Sequence, residues 1–229
     1  MKNQAAFFDG FRAMLPITIG TIPFGAVMGT VSQAADLSLF QAMTMNVLVY
    51  AGASQLAALD LMVQQAAIPI IVLTGLIINL RFLLYSAAMT PILAEASWST
   101  KLLSAFTLTD QGYAVMSSNQ DRYPRNSDLV TFYLGTAFCM FLIWHLSVMA
   151  GYLFGNFSPD SLALDYAVPL SFIALLIPTL KNKKQILVAL ISAGLSLPLD
   201  SLPFRLGLLV TALISLLVAF KLTSKREAA

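Results

Sequence analysis

The sequence predicts an all-α, polytopic membrane protein of about eight (seven to eight) membrane segments, with broken or re-entrant helices in its N-terminal half. Three observations carry this. First, 58% of the 229 residues are hydrophobic and only 10% are charged, with a mean hydropathy of +0.80. Soluble domains carry about 25% charged residues, so most of this exterior faces a lipid bilayer. Second, uncharged runs recur at lengths suited to a bilayer, which takes about 20 helical residues to cross. Third, Arg81 interrupts such a run: residues 61–80 are twenty residues without a formal charge, and 82–94 add thirteen more. At membrane depth a charge costs at least ~2.5–3.5 kcal/mol, and it is tolerated where it faces a polar cavity or has a partner.

Hydrophobic length places the segments at 12–33, 38–60, 66–92, 101–118, 128–155, 165–180, 184–199 and 205–222. The first resembles a signal peptide, because Lys2 and Arg12 precede it. Its uncharged core, 13–35, has twenty-three residues, longer than the usual ~7–15, so it reads as a retained span. The fourth is interrupted by Lys101, Thr107, Thr109, Asp110, Gln111, Ser117 and Ser118. It reads as a crossing, or as a broken or re-entrant helix. The fifth is the cleanest, since 129–159 holds no Asp, Glu, Lys or Arg. The last three contain fifteen uncharged residues each, ~22 Å of helix, and span only with snorkelling or local thinning.

Lysine and arginine in loops set orientation. Lys2 and Arg12, Arg122 and Arg125, Lys181 to Lys184, and Lys221 to Arg226 mark four inside positions. Eight crossings with both termini in the cytoplasm satisfy them. The loops are short, so 1–229 reads as a single integral membrane domain. A parallel repeat of four and four spans, 1–118 and 119–229, is a possible division.

Charge and cysteine usage exclude other classes. A net charge of +2 with thirteen scattered basic residues leaves no nucleic-acid footprint. A lone Cys139 allows neither an intrachain disulfide nor a cysteine metal site, and no cofactor is expected.

The unusual residues concentrate in the first half. Span one carries Leu15-Pro16 and Pro23-Phe24-Gly25, with Gly20 and Gly29 nearby. Proline removes a backbone donor and glycine permits close approach, which predicts a kinked or interrupted helix with freed backbone groups. The spacing of Gly25 and Gly29 also fits simple helix packing. Span two carries Asn46, Tyr50 and Ser54 at intervals of four, with Gln55 beside them. On a continuous helix these form one polar stripe, lining a cavity or bonding another helix. Span three carries Asn79, Arg81 and, one turn on, Tyr85. Arg81 offers a planar fork of donors suited to a carboxylate: that of Asp110, Asp60 or Glu95, or that of a substrate. Asp110 in span four is a functional candidate by default. His145, the only histidine, reads as a hydrogen-bonded packing residue or a proton carrier.

At these residues the chain resembles a known family. Pro23-Phe24-Gly25 with Gly29, Ala51-Gly52-Ala53-Ser54-Gln55, Asn79-Leu80-Arg81 with Tyr85-Ser86-Ala87, and Asp110 with Tyr113-Ala114 look like the AzlC family, the large subunits of bacterial branched-chain amino acid exporters. Phe82 and Gln111 depart from the family's usual pattern. The resemblance implies one transporter domain that exports valine, leucine, isoleucine or methionine across the inner membrane by secondary transport. It also implies a small AzlD-type membrane partner. An amino acid substrate needs a cation for its carboxylate, for which Arg81 or a broken span-one backbone would serve. It needs an acceptor for its ammonium, for which Asp110 or Gln55 would serve, and an apolar pocket from Phe24 and Phe82. Two rivals remain: an intramembrane serine hydrolase pairing Ser54 with His145, and a scaffold that transports nothing.

Overall fold

The computed structural model describes residues 2–155, 180, 182–199 and 206–224. Every regular element among them is helical, as lipid demands of a chain that must satisfy its backbone internally. In chain order they are α1 (Lys2–Ala34), α2 (Leu39–Val49), α3 (Gly52–Val63), α4 (Ile68–Ile78), α5 (Arg81–Met89), α6 (Trp98–Phe106), α7 (Asp110–Ser117), α8 (Asn126–Phe154), α9 (Lys183–Leu199) and α10 (Leu206–Ser224).

The long helices α1 and α8 form the frame, and both are long and apolar enough to cross a membrane. They lie side by side and parallel. Gly10 abuts the backbone of Phe132, Gly25 abuts Ser147 and Trp144, and Gly29 abuts Val148 and Tyr152. Contacts advance in step along both helices, so both start at one end of the pair, the near end. The spacing of Gly25 and Gly29 is therefore used for packing. The expected interruption of span one does not occur, since α1 runs unbroken through Pro16 and Pro23. Neighbouring hydroxyls supply local bonds there, Thr18 to the Leu15 carbonyl and Thr21 to the Thr18 carbonyl. Close packing on α8 continues along the rest of α1.

Between these helices the chain takes a path that hydrophobic length alone did not reveal. At the far end the Tyr152 hydroxyl donates to the Leu37 carbonyl at 2.7 Å. From there α2, capped by Ser38, descends to Tyr50, which meets Phe141 and His145 midway along α8. The chain then reverses: Leu56 and Leu59 of α3 pack into the cluster holding Met28 and Val148. So α2 and α3 form a hairpin entering from the far end, not the crossing expected at 38–60.

The next pair does cross. α4 and α5 bend by 42° at their break and together are long and apolar enough for a third span. They finish at the near end, where Asn126 at the start of α8 donates to the Pro91 carbonyl at 3.4 Å. From that end α6 rises until Phe106 lies beside Tyr50 and Phe141. α7 then returns, with Gly112 against Tyr133 and Met116 clustered with Leu129. The uncertain segment 101–118 is thus a hairpin entering from the near end. A crossing followed by a hairpin occurs twice, 2–63 and 68–117, in opposite orientations. Later in the chain, α9 and α10 pack antiparallel, with the Lys184 ammonium donating to the Leu222 carbonyl. The sixth expected span, 165–180, lies outside the described residues apart from residue 180.

The near end is fastened by the loop before α8. Asp9 of α1 accepts from the Tyr123 hydroxyl at 2.8 Å and from Arg122 at 3.2 Å. Burial raises the pKa of Tyr123 above its ordinary value, and its bond to the Asp9 carboxylate adds to the rise. A raised folded-state pKa means that this contribution is whole below pH ~10 and is lost as pH rises through the folded value. Tyr123→Phe is therefore expected to lower thermal stability at neutral pH by about 1 kcal/mol. Melting curves of both proteins between pH 8 and 11 should converge; a gap that stays constant would remove Tyr123 as the source.

Candidate functional site

Three helix breaks meet midway along the α1–α8 pair. The first is made by Tyr50, in the left-handed region at φ 39° and ψ 42°, followed by an extended Ala51. That conformation costs a non-glycine residue roughly 1–2 kcal/mol. Ring contacts hold it, with Phe141 at 5.2 Å, His145 at 5.7 Å and Phe106 at 6.2 Å. The reversal frees backbone groups, and the next turn recovers them. Ala51 N–H donates to Gln55 Oε1 at 3.2 Å, and the Ser54 hydroxyl donates to the Ala51 carbonyl at 2.9 Å. Asn46, Tyr50 and Ser54 therefore do not share one helical face as the spacing predicted. They converge because the helix folds back on itself.

The second break, at Asn79-Leu80, is joined to the first: Asn79 Nδ2 donates to Ser54 Oγ at 3.1 Å. The third precedes α7, where Thr109 Oγ1 accepts from Gly112 N–H and caps the helix. The cap leaves Asp110 as the first residue of α7, where a helix N-terminus favours its negative charge. Arg81, the first residue of α5, meets it: NH1 lies 2.5 Å from Asp110 Oδ2. The side chains are 36% and 33% exposed, Tyr85 stacks on Tyr113 at 4.8 Å, and the Arg81 guanidinium lies 5.2 Å over the Phe82 ring.

Most expected site residues thus gather here. Asn46, Gln55, Ser54 and Asn79 are joined by hydrogen bonds that pass through the Ala51 backbone, Arg81 and Asp110 form a separate pair beside Asn79 in sequence and at α7, and Tyr50 and Tyr85 belong to the same breaks. Phe24 joins from α1, packed on Trp144 with ring centroids 5.4 Å apart. Both rings cover Gly52, where a Cβ would lie 2.7 Å from each. Gly25 is a packing residue against Ser147, and Pro23 is exposed on unbroken α1, so neither supplies the freed backbone expected of them. Ser54 and His145 are not bonded to each other; His145 Nδ1 lies 2.7 Å from the Phe141 carbonyl.

One central residue was missed. Trp144 Nε1 donates to Asn46 Oδ1 at 2.7 Å. The signal was present, because an indole N–H inside an apolar run must find an acceptor. Several buried polar atoms here receive no partner from the protein: Asn46 Nδ2, the Tyr50 hydroxyl, Asn79 Oδ1, Arg81 Nε and Asp110 Oδ1.

Broken apolar helices around a buried polar centre define a helical membrane protein with a functional interior. The chain belongs to the AzlC family, which is associated with transport: the family's model, described as AzlC protein, matches residues 16–157. The match takes in all three breaks and α8. The Escherichia coli (strain K12) inner membrane protein YgaZ is 26% identical over 232 residues, covering 95% of this chain and 93% of that protein. An uncharacterized membrane protein of Helicobacter pylori (strain J99) is 24% identical over 220 residues, covering 94% and 95%. One of Archaeoglobus fulgidus is 28% identical over 191 residues, covering 80% of each chain. No solved structure matches.

Proposed function

We propose that this protein exports valine, leucine, isoleucine or methionine as the large subunit of a secondary transporter, with a small AzlD-type membrane partner. It sits in a bacterial inner membrane with both termini in the cytoplasm and is not an enzyme. The observation that carries this reading is the Arg81–Asp110 pair at the junction of three helix breaks. Membrane-buried charges on broken helices mark solute pathways. The near end, which carries Arg12, Arg122 and Arg125, is cytoplasmic by the positive-inside rule. Hairpins entering from opposite ends set one short helical pair on each side of the pathway, an arrangement compatible with alternating access. Hydrolysis is disfavoured because Ser54 is engaged by Asn79 and Ala51 and His145 by Phe141, leaving no nucleophile–base pair.

The test is counterflow of labelled leucine into vesicles holding this chain with and without its small partner, at two pH values. Preloaded leucine should accelerate label entry severalfold over empty vesicles when both chains are present. Entry at the empty-vesicle rate in every condition overturns transport of leucine and leaves the scaffold reading.

A further inference from the structure

The simplest charge matching would give the solute's carboxylate to Arg81. The hydrogen bonds point elsewhere. The Gln55 amide has a fixed orientation, because Ala51 N–H donates to its Oε1 at 3.2 Å. Its Nε2 therefore donates, and it does so to Asn46 at 3.3 Å. Trp144 Nε1, which can only donate, points at the same Asn46 atom from 2.7 Å. Two donors converge on one atom, so that atom must be the oxygen, and the Asn46 amide cannot flip. Its nitrogen is left as a fixed donor on a residue with 0% exposure, and the protein gives it no acceptor. One helical turn away, the Tyr50 hydroxyl is also buried and unpartnered. Asn46 reaches the first turn of α3 through Gln55, and the N–H groups of that turn carry partial positive charge.

The opposite polarity appears across the Ser54–Asn79 bond. Asn79 spends its nitrogen on Ser54, which leaves Oδ1 as a buried acceptor without a donor. Asp110 uses Oδ2 on Arg81 and its carboxylate also faces the Tyr85 hydroxyl, while its buried Oδ1 lies within hydrogen-bond distance of no donor. The unpartnered atoms at the α2–α3 break are thus an amide donor and a hydroxyl, and those at the α4–α5 break and the start of α7 are two acceptors beside the Arg81 Nε donor. That is the polarity of a zwitterionic α-amino acid head group.

We infer that the solute's carboxylate is bound by the Asn46 amide and the start of α3, its ammonium by Asn79 Oδ1 and Asp110 Oδ1, and that Trp144 is a positioning residue that fixes Asn46. Arg81 then holds Asp110 in place and does not contact the carboxylate. The inference rests on the transport reading and assigns its contacts.

The experiment measures inhibition of labelled leucine counterflow by unlabelled leucine and by leucinamide, which keeps the ammonium and side chain but lacks the carboxylate. Wild type should prefer leucine by at least about tenfold, the scale of a charge-assisted hydrogen bond. Asn46→Asp, which faces the carboxylate with a negative charge, should abolish or invert that preference. Trp144→Phe keeps an aromatic ring and removes only the donor. It should raise half-saturation for leucine severalfold, with the maximum rate within about twofold and the preference for leucine reduced. Damage to folding alone would weaken both compounds in proportion. A preference unchanged in both variants at matched protein levels overturns the inference while transport stands. A wild type that carries no leucine overturns the transport reading, and this assignment falls with it.

Discussion

Arg81→Gln is expected to cut leucine counterflow about thirtyfold, and Asp110→Asn to do the same. The reason is the state in which each change leaves the remaining charge. Removing one partner of a fully buried ion pair costs roughly 3–5 kcal/mol, because the other charge stays out of water unpaired. Here each side chain keeps about a third of its exposure, so about 2 kcal/mol is the appropriate figure, equivalent to about thirtyfold. The double variant Arg81→Gln/Asp110→Asn separates structure from transport. It removes both charges together, so stability should recover toward wild type. Transport should stay lost, because Asp110→Asn leaves only a neutral amide oxygen where the ammonium needs a negative charge. Recovery of transport in the double variant would make the pair a structural tie alone. Normal counterflow from Arg81→Gln at wild-type protein level would move the pathway away from this site altogether.

The need of Arg81 for a carboxylate, from the protein or from a substrate, was legible in the sequence because a lone cation in an apolar run restricts its own surroundings. Asp110 was among its possible partners, and the match of expected 128–155 to observed Asn126–Phe154 rests on the same kind of signal. The chain's route through the bilayer was not legible. The 38–60 segment has the length and apolarity of a crossing, and nothing local distinguishes it from a hairpin. Its reversal turns on Tyr50, a residue that seldom takes the left-handed conformation, held there by rings from α6 and α8 that lie 56 or more positions away in sequence. Proline misled in the opposite direction. Pro16 and Pro23 marked span one for a kink or an interruption, yet α1 runs unbroken, packed along α8. The placing of the 119–127 loop at the same end as the N-terminus has a topological reason. Replacing two crossings by two hairpins leaves the parity of the chain unchanged, so the loop carrying Arg122 still returns to Asp9 at the N-terminal end.

The second large effect lies in that α1–α8 frame. Gly151→Val is expected to lower the melting temperature by about 5–10 °C or to prevent accumulation of folded protein. A Cβ built on Gly151 overlaps the Ala26 carbonyl oxygen and lies 2.6 Å from Ala26 Cα, and one on Gly135 overlaps the Phe7 carbonyl oxygen. These neighbours are backbone atoms of a straight helix and cannot rotate aside, so the two helices must separate. Small residues at such crossings exist to let backbones approach in lipid, where dispersion contacts replace hydrophobic driving force. Overpacking of this kind costs roughly 1–3 kcal/mol or more, which in a chain of this size shifts melting by several degrees. Gly20→Ala and Gly75→Ala are the controls, since nothing lies within 4 Å of a Cβ at either position; they should melt within about 2 °C of wild type and gain slightly from helix propensity. The assay is built into the chain. Its single cysteine, Cys139, is buried in α8, so a thiol-reactive dye reports unfolding that exposes this helix. Equal melting of Gly151→Val and Gly20→Ala would mean that α1 and α8 are not in backbone contact, and the frame that brings the three breaks together would have to be redrawn.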